Sequence, residues 1–198
     1  MTSKSIAECL GATGICVCPD FLSPISLIKT ADDLDEIHAE GQFCGARVGP
    51  SSQPEPKEVI RSDETYWFKR ENASVPQNQI WRRLDLLKRA FNRTLFLGLN
   101  DFEGHYSKYP AGGFYQRHKD CLFGKSNRIV SIIIYLNRDW LSHQGGRLRV
   151  YNETSHQDID PLGGTMVCFM SRDSEHEVLL SHAERSSFAG WFKTCSSL

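Results

Sequence analysis

At 198 residues the chain is long enough for one well-filled core and short for two, so a single domain spanning residues 1–198 is expected. A composition of 40% hydrophobic, 24% charged and 11% aromatic residues excludes a fibrous or disordered polymer. The formal net charge of -1 supplies no basic field for phosphate backbones or anionic lipid, so neither nucleic acid nor membrane is expected as a partner.

From the N-terminus, MTSKSIAECLGATGICVC lacks the sustained apolar run of a signal peptide or a membrane span, which gives a cytoplasmic location as the expectation. The seven cysteines are odd in number and carry no CxxC pairs, so they read as reduced thiols rather than structural zinc ligands. Cys16 and Cys18, in CVC, have the wrong spacing for a redox motif and fit a strand with one thiol turned inward. Residues 25–41 place Leu27, Ile28, Leu34 and Ile37 at helical spacings, with Gly41 as the stop. PSSQPEPKE (50–58) carries three prolines and little to bury, and predicts an exposed loop. The VIRSDETYWF that follows reads as a strand. A second helix is expected over 79–91, where Ile80, Leu84, Leu87 and Phe91 form a stripe opposed by Arg82, Arg83, Lys88 and Arg89.

Beyond Tyr106 the texture changes to short apolar or alternating runs: RIVSIIIYLN, GRLRVYN, GTMVCFM and SSFAGWF, each bounded by turn-forming residues. Closely spaced strands with no helices between them predict an antiparallel sandwich or barrel, with the helices packed outside it. Within this region His118 and Asp120 stand two apart, so on extended backbone both side chains leave the same face. A distal histidine, His176, is followed nine residues later by Arg185, completing an HxD…H…R pattern. Two histidines and one carboxylate leave three positions of an octahedron open, the arrangement of non-heme iron(II) oxygenases. Structural sites close all their positions. HxD alone occurs by chance in many chains, so the distal partners carry the reading. Arg185 shares the parity of Ser187, Ala189 and Trp191, and its permanent charge suits the bidentate grip of a dicarboxylate. Tyr135, on the face of Ile129, Ser131 and Ile133, can add a hydroxyl to that clamp; read alone it is as readily a core aromatic.

The motifs YPAGGFYQRHKD (109–120), IIIYLNRDW (132–140), GGRLRVY (145–151) and SEHEVLLSHAERSSFAGWF (174–192) resemble those of the prolyl hydroxylases that act on hypoxia-inducible factor, and of their shorter bacterial relatives. PDFLSP, LDEIHAEGQF, VIRSDETYWF and LNDFEGHYSKYP match in kind and order, so the likeness covers nearly the whole chain. The resemblance implies a mainly β fold with flanking helices around a double-stranded β-helix, or jelly-roll, core. Residues 1–105 or so would supply the N-terminal helices, outer strands and substrate loop, and about 106–195 the catalytic core. It implies His118, Asp120 and His176 as iron ligands, Arg185 and Tyr135 on the far carboxylate of 2-oxoglutarate, and Ile133, Leu148, Val178 and Trp191 lining that pocket. Tyr109 would sit beside the metal, and Asp63 and Arg128 would face the peptide across the entrance. The implied activity is iron(II)- and 2-oxoglutarate-dependent hydroxylation of a prolyl residue in a protein, with dioxygen as the second cosubstrate, ascorbate as an added reductant, and release of succinate and carbon dioxide. The implied partner is a protein bearing the target proline, elongation factor Tu being a candidate if the chain is bacterial, and the enzyme is expected to be a monomer.

Two departures from the animal enzymes stand out. Ala189 takes the place of a threonine near the metal, which predicts a different water network there, and the chain ends six residues after Phe192, without a C-terminal helical extension, which predicts a different substrate choice. The segment from about Arg47 to Gln79 is expected to act as a flap over the peptide. His38, His105, His143, His156 and His182 fit no ligand spacing and are expected on the surface or beside helices. The rival readings are a same-fold oxygenase acting on another amino acid, a small metabolite or a nucleic-acid base, and a non-catalytic cupin-like binding module.

Overall fold

The computed structural model describes residues 1–46, 60–121 and 127–195. In chain order these form helix α1 (Ser3–Thr13), strand β1 (Ile15–Cys18), helix α2 (Pro24–Ala39), strands β2 (Cys44–Gly45) and β3 (Glu64–Trp67), and helix α3 (Val75–Leu95). Strands β4 (Asp101–Tyr109), β5 (Tyr115–His118), β6 (Arg128–Tyr135), β7 (Leu148–Tyr151), β8 (His156–Ile159), β9 (Met166–Met170), β10 (His176–Val178) and β11 (Arg185–Lys193) complete the chain. They build a seven-stranded sheet in the order β1-β9-β6-β11-β4-β3-β2 and a four-stranded sheet in the order β5-β10-β7-β8. Every pairing is antiparallel. Among the described residues no helix is long and apolar enough to cross a membrane.

The large sheet separates two interiors. On its outer face Phe102, Tyr106, Ile132, Ile134, Phe188 and Phe192 pack against Ile6 and Leu10 of α1 and Ile80, Leu84, Leu87 and Phe91 of α3. Between the sheets lies a smaller cluster of Tyr135, Leu148, Val150, Ile159, Val167 and Phe169. The outer core tolerates no extra atoms at its centre. Gly190 pairs with Gly104 across β11 and β4, and a Cβ at Gly190 would lie 2.4 Å from the ring of Phe102 and 2.6 Å from the Glu103 carbonyl oxygen. The two glycines make the hollow in which the rings of Phe102 and Phe188 lie nearly parallel.

The helices begin and end where local chemistry dictates. The hydroxyls of Ser23 and Ser74 accept the backbone N–H groups of Ser26 and Gln77, with a proline in the first turn of each helix. These caps start α2 and α3, so α3 opens four residues earlier than the apolar stripe predicts and runs to Leu95. Ile28 of α2 turns to solvent, and Thr30, Ala31 and Leu34 face inward instead. Helix α1, which the sequence reading passed over, is capped by Thr2 and Ser5 and packs on α3. Cys16 and Cys18 are both buried, since residues two apart on a strand share a face, so two thiols of CVC turn inward rather than one.

Of the expected flap, residues 47–59, and with them the 50–58 loop, lie outside the described residues. Residues 60–79 are not a long loop: they carry β3, a 3-10 turn at Arg70–Asn72 and the first turn of α3.

Candidate active site

Strand register assembles the first cluster. β10 pairs with β5 so that His176 stands directly opposite His118, and Asp120 follows two residues beyond His118. Nδ1 of His118 lies 2.7 Å from the Gln116 carbonyl oxygen, and Nδ1 of His176 lies 3.3 Å from that of Ser174. A carbonyl only accepts, so both Nδ1 atoms carry the proton and both Nε2 lone pairs point into the cluster. There they meet the Asp120 carboxylate, with His118 Nε2 3.5 Å from Oδ1 and His176 Nε2 3.6 Å from Oδ2. One donor atom from each residue falls within 4.8 Å of the others. Lone pairs facing lone pairs at this range repel unless a cation lies between them, so the donor set fits a metal ion bound by two imidazoles and one carboxylate.

The surroundings hold these groups in the required ionisation states. Burial pushes the Asp120 carboxyl up, but the charged forms of His176 and His118 and the Ser131 hydroxyl outweigh it and keep the group well below the usual carboxylate range. Ser131 Oγ donates to Asp120 Oδ2 at 2.7 Å and lies 2.8 Å from Ser171 Oγ, which ties the cluster to the opposite sheet through β6. Burial lowers His176, so it is neutral as a ligand must be. Tyr115 stacks on His118 at 3.7 Å, and Phe169 packs against His176.

The second cluster stands on the inner face of the large sheet. Arg185 is 1% exposed, and its Nε donates to the Gly146 carbonyl at 2.9 Å. Gly146 has a φ of +61°, and a Cβ there would lie 3.1 Å from Arg185 Cδ, so a glycine is needed for the backbone to come this close. The guanidinium lies 5.2 Å from the ring centres of both Tyr109 and Tyr135, so Tyr109, paired in register with Arg185, stands at the guanidinium and not beside the metal cluster as expected. Among the described residues no carboxylate pairs with it. Tyr135 is fully buried beside it, its hydroxyl has no hydrogen-bond partner, and burial pushes it up to about 12.

A cavity of about 570 Å³ joins the two clusters. His118, Asp120, His176, Arg185 and Tyr109 lie on its wall, as do Ile133, Leu148, Val178 and Trp191. Tyr135 does not line it. Arg128 lines the cavity, its guanidinium 3.6 Å above the Trp191 ring and its Nη2 2.7 Å from the Glu103 carboxylate.

Asp63 is placed differently from the expectation. It is 3% exposed and its carboxylate accepts from Arg61, at 2.6 Å to each oxygen, and from Ser107. Those donors are what allow the charge to be buried, and Asp63 does not line the cavity. Arg61 faces the cavity in its stead, 4.5 Å above the Tyr115 ring, and its spacing of two from Asp63 was the available signal.

His105 also departs from the expected surface position: it is buried on β4 and lines the cavity, and burial lowers it to about 3. Counting back in twos from Tyr109 reaches it on the same face.

Residues 104–193 match the 2OG-Fe(II) oxygenase superfamily. The chain is 33% identical to a Pseudomonas putida prolyl-4-hydroxylase of known structure, with a TM-score of 0.89, covering 98% of this chain and 100% of that one. It is 30% identical over 197 residues to human Egl nine homolog 1, covering 94% of this chain and 45% of that protein. The chain thus spans about half the length of this curated relative. A Trichoplax adhaerens prolyl hydroxylase, solved with a peptide fragment of the hypoxia-inducible factor oxygen degradation domain, shares the fold at a TM-score of 0.87 and 24% identity, covering 96% of this chain and 88% of that one.

Proposed function

Because the chain belongs to the prolyl hydroxylase family of the 2OG-Fe(II) oxygenases, we propose that it hydroxylates a prolyl residue of a protein substrate, consuming dioxygen and 2-oxoglutarate and releasing succinate and carbon dioxide. The observation that carries this reading is a fully buried guanidinium with no carboxylate partner, facing a His-Asp-His cluster across one cavity. Burying an uncompensated charge costs several kcal/mol, and a dicarboxylate spanning from Arg185 to a metal removes that cost.

In this reading His118, Asp120 and His176 hold iron(II), which supplies the activation of dioxygen when bound. Asp120 contributes its charge as a permanently ionised ligand, and the two imidazoles contribute neutral lone pairs fixed by backbone carbonyls. Arg185 takes the far carboxylate of 2-oxoglutarate as a fork, and the Tyr135 hydroxyl supplies a further donor. Ile133, Leu148, Val178 and Trp191 exclude water from the chain between the two carboxylates, and Tyr109 closes the Arg185 end. The peptide enters past Trp67, which is 45% exposed, and Arg128. Arg61, oriented by Asp63, takes the entrance role expected of Asp63 itself.

The experiment is succinate formation with iron(II), 2-oxoglutarate and a panel of proline-containing peptides, including segments of elongation factor Tu, with mass spectrometry of each peptide. Peptide-dependent succinate with a 16 Da gain on proline, both lost in His118→Ala, is expected. Absence of any proline-dependent product across the panel, with succinate formed on another amino acid, would count against a prolyl substrate.

A further inference from the structure

The cavity wall holds polar atoms that the fold leaves without hydrogen bonds: both ring nitrogens of His105 and the indole N–H of Trp191. His105 is the most conspicuous. Its ring lies 4.6 Å from that of Trp67 and 5.5 Å from that of Trp191, and a phenylalanine would fill the same slot with no polar atom to satisfy. A neutral imidazole always carries one N–H donor and one lone pair. Burying both without partners is destabilising unless a ligand engages them.

Register shows where the ring stands. The inner face of the large sheet carries rows of side chains: Tyr109 with Arg185, then Thr65, Ser107, Ser187 and Tyr135, then Trp67, His105, Ala189 and Ile133, then Glu103, Trp191 and Ser131. Ser131 in the last of these rows holds Asp120. His105 therefore lies one row beyond Tyr135 on the way to the metal cluster, a step of about 6.6 Å along a strand. An extended five-carbon diacid anchored at Arg185 and Tyr135 reaches about one such step, and places its near carboxylate at the row of His105. Ala189, directly across from His105, is small enough to leave that flank of the ring open.

We infer that His105 is a further cosubstrate-binding residue, which donates its N–H to the metal-proximal carboxylate of 2-oxoglutarate while Trp67 and Trp191 hold the ring. This assignment rests on the function proposed above. Burial and the positive charges of Arg61 and Arg128 keep the ring neutral, so it serves as a fixed donor and does not compete with Arg185 as a charge.

The test is calorimetric titration of 2-oxoglutarate into manganese(II)-loaded protein without oxygen, for wild type, His105→Phe and His105→Gln. A hydrogen bond to a charged acceptor predicts about 10- to 100-fold weaker binding for the phenylalanine variant, most of it recovered in the glutamine variant, with manganese affinity unchanged in both. In zinc(II)-loaded wild type labelled with 15N-histidine, the His105 resonances, identified by their loss in His105→Gln, should shift on adding 2-oxoglutarate. Wild-type affinity in His105→Phe, or His105 resonances that do not move, overturns the assignment. Wild type that binds no 2-oxoglutarate at all overturns the proposed function and this assignment with it.

Discussion

Replacing Arg185 with methionine removes the buried charge while keeping most of the side-chain volume. In wild type loaded with manganese(II), 2-oxoglutarate at a hundred times its dissociation constant should add about 2.7 kcal/mol of stability. For a chain of 198 residues this raises Tm by about 5 to 11 °C. Truncating one partner of a buried charge pair costs about 2 to 5 kcal/mol; taking about 3 kcal/mol, affinity falls roughly 150-fold. The same cosubstrate concentration then adds only about 0.3 kcal/mol, or about 1 °C. Without cosubstrate the change should be small, because relief of an unpaired charge is offset by loss of the donor to the Gly146 carbonyl, worth about 1 to 3 kcal/mol. Differential scanning fluorimetry with and without 2-oxoglutarate measures both quantities. A cosubstrate-induced shift as large in Arg185→Met as in wild type would refute the argument from the unpaired guanidinium.

Two further outcomes follow from the same geometry. Ser131→Ala removes the donor that orients Asp120, and metal affinity should fall about 10-fold to 100-fold with the ligand set intact; unchanged iron(II) or zinc(II) affinity would show that Ser131 does not hold the carboxylate in place. The second concerns pH. His105 titrates near 6.5 when unfolded and at about 3 when folded, so its contribution to stability is present above the unfolded value and is lost as pH falls from there. Between pH 7 and pH 5 that loss is about 2 kcal/mol. His105→Phe should therefore lose about 2 kcal/mol less than wild type over this interval in urea unfolding of the metal-free proteins, and equal losses would contradict a neutral buried ring.

The parts legible in the sequence were those in which parity and apolar content agree. β6, β9 and β11 bury side chains on both faces, so their apolar runs stand out, and the same-face logic that joined His118 to Asp120 holds at the end of β5. β4 was obscure for a physical reason: its inner face is the wall of a polar cavity, so DFEGHYSKY alternates aromatics and glycine with Glu103, His105 and Ser107 and offers no apolar run. With the strand unrecognised, His105 had no parity and fell among the surface histidines. Asp63 looked exposed because a lone aspartate usually is; only the fold brings Ser107 to it from a strand 44 residues away. Helix α1 is short and carries a glycine, and its stability comes from packing on α3 and β1, which a local pattern does not reveal.

The distribution of unsatisfied groups separates a ligand site from incidental imperfection. Six buried side-chain atoms among the described residues lack a hydrogen bond, and four of them, on His105, Tyr135 and Trp191, stand on the inner face of the large sheet. On the outer face polar groups of the same strands are paired: the Tyr106 hydroxyl donates to Asp33 at 2.7 Å, and Lys108 Nζ to Asp35 at 3.0 Å. The other two orphans, on Trp81 and Trp140, lie on α3 and beyond β6, so among the strands of the large sheet the orphans fall on the inner face alone. Concentration on one face, together with the unpaired charge of Arg185 and the lone pairs converging from His118, His176 and Asp120, means that the cavity is complete only when an anion and a cation fill it. Cosubstrate and metal are then linked to folding itself, and each should stabilise the chain against unfolding to the extent that it satisfies these groups.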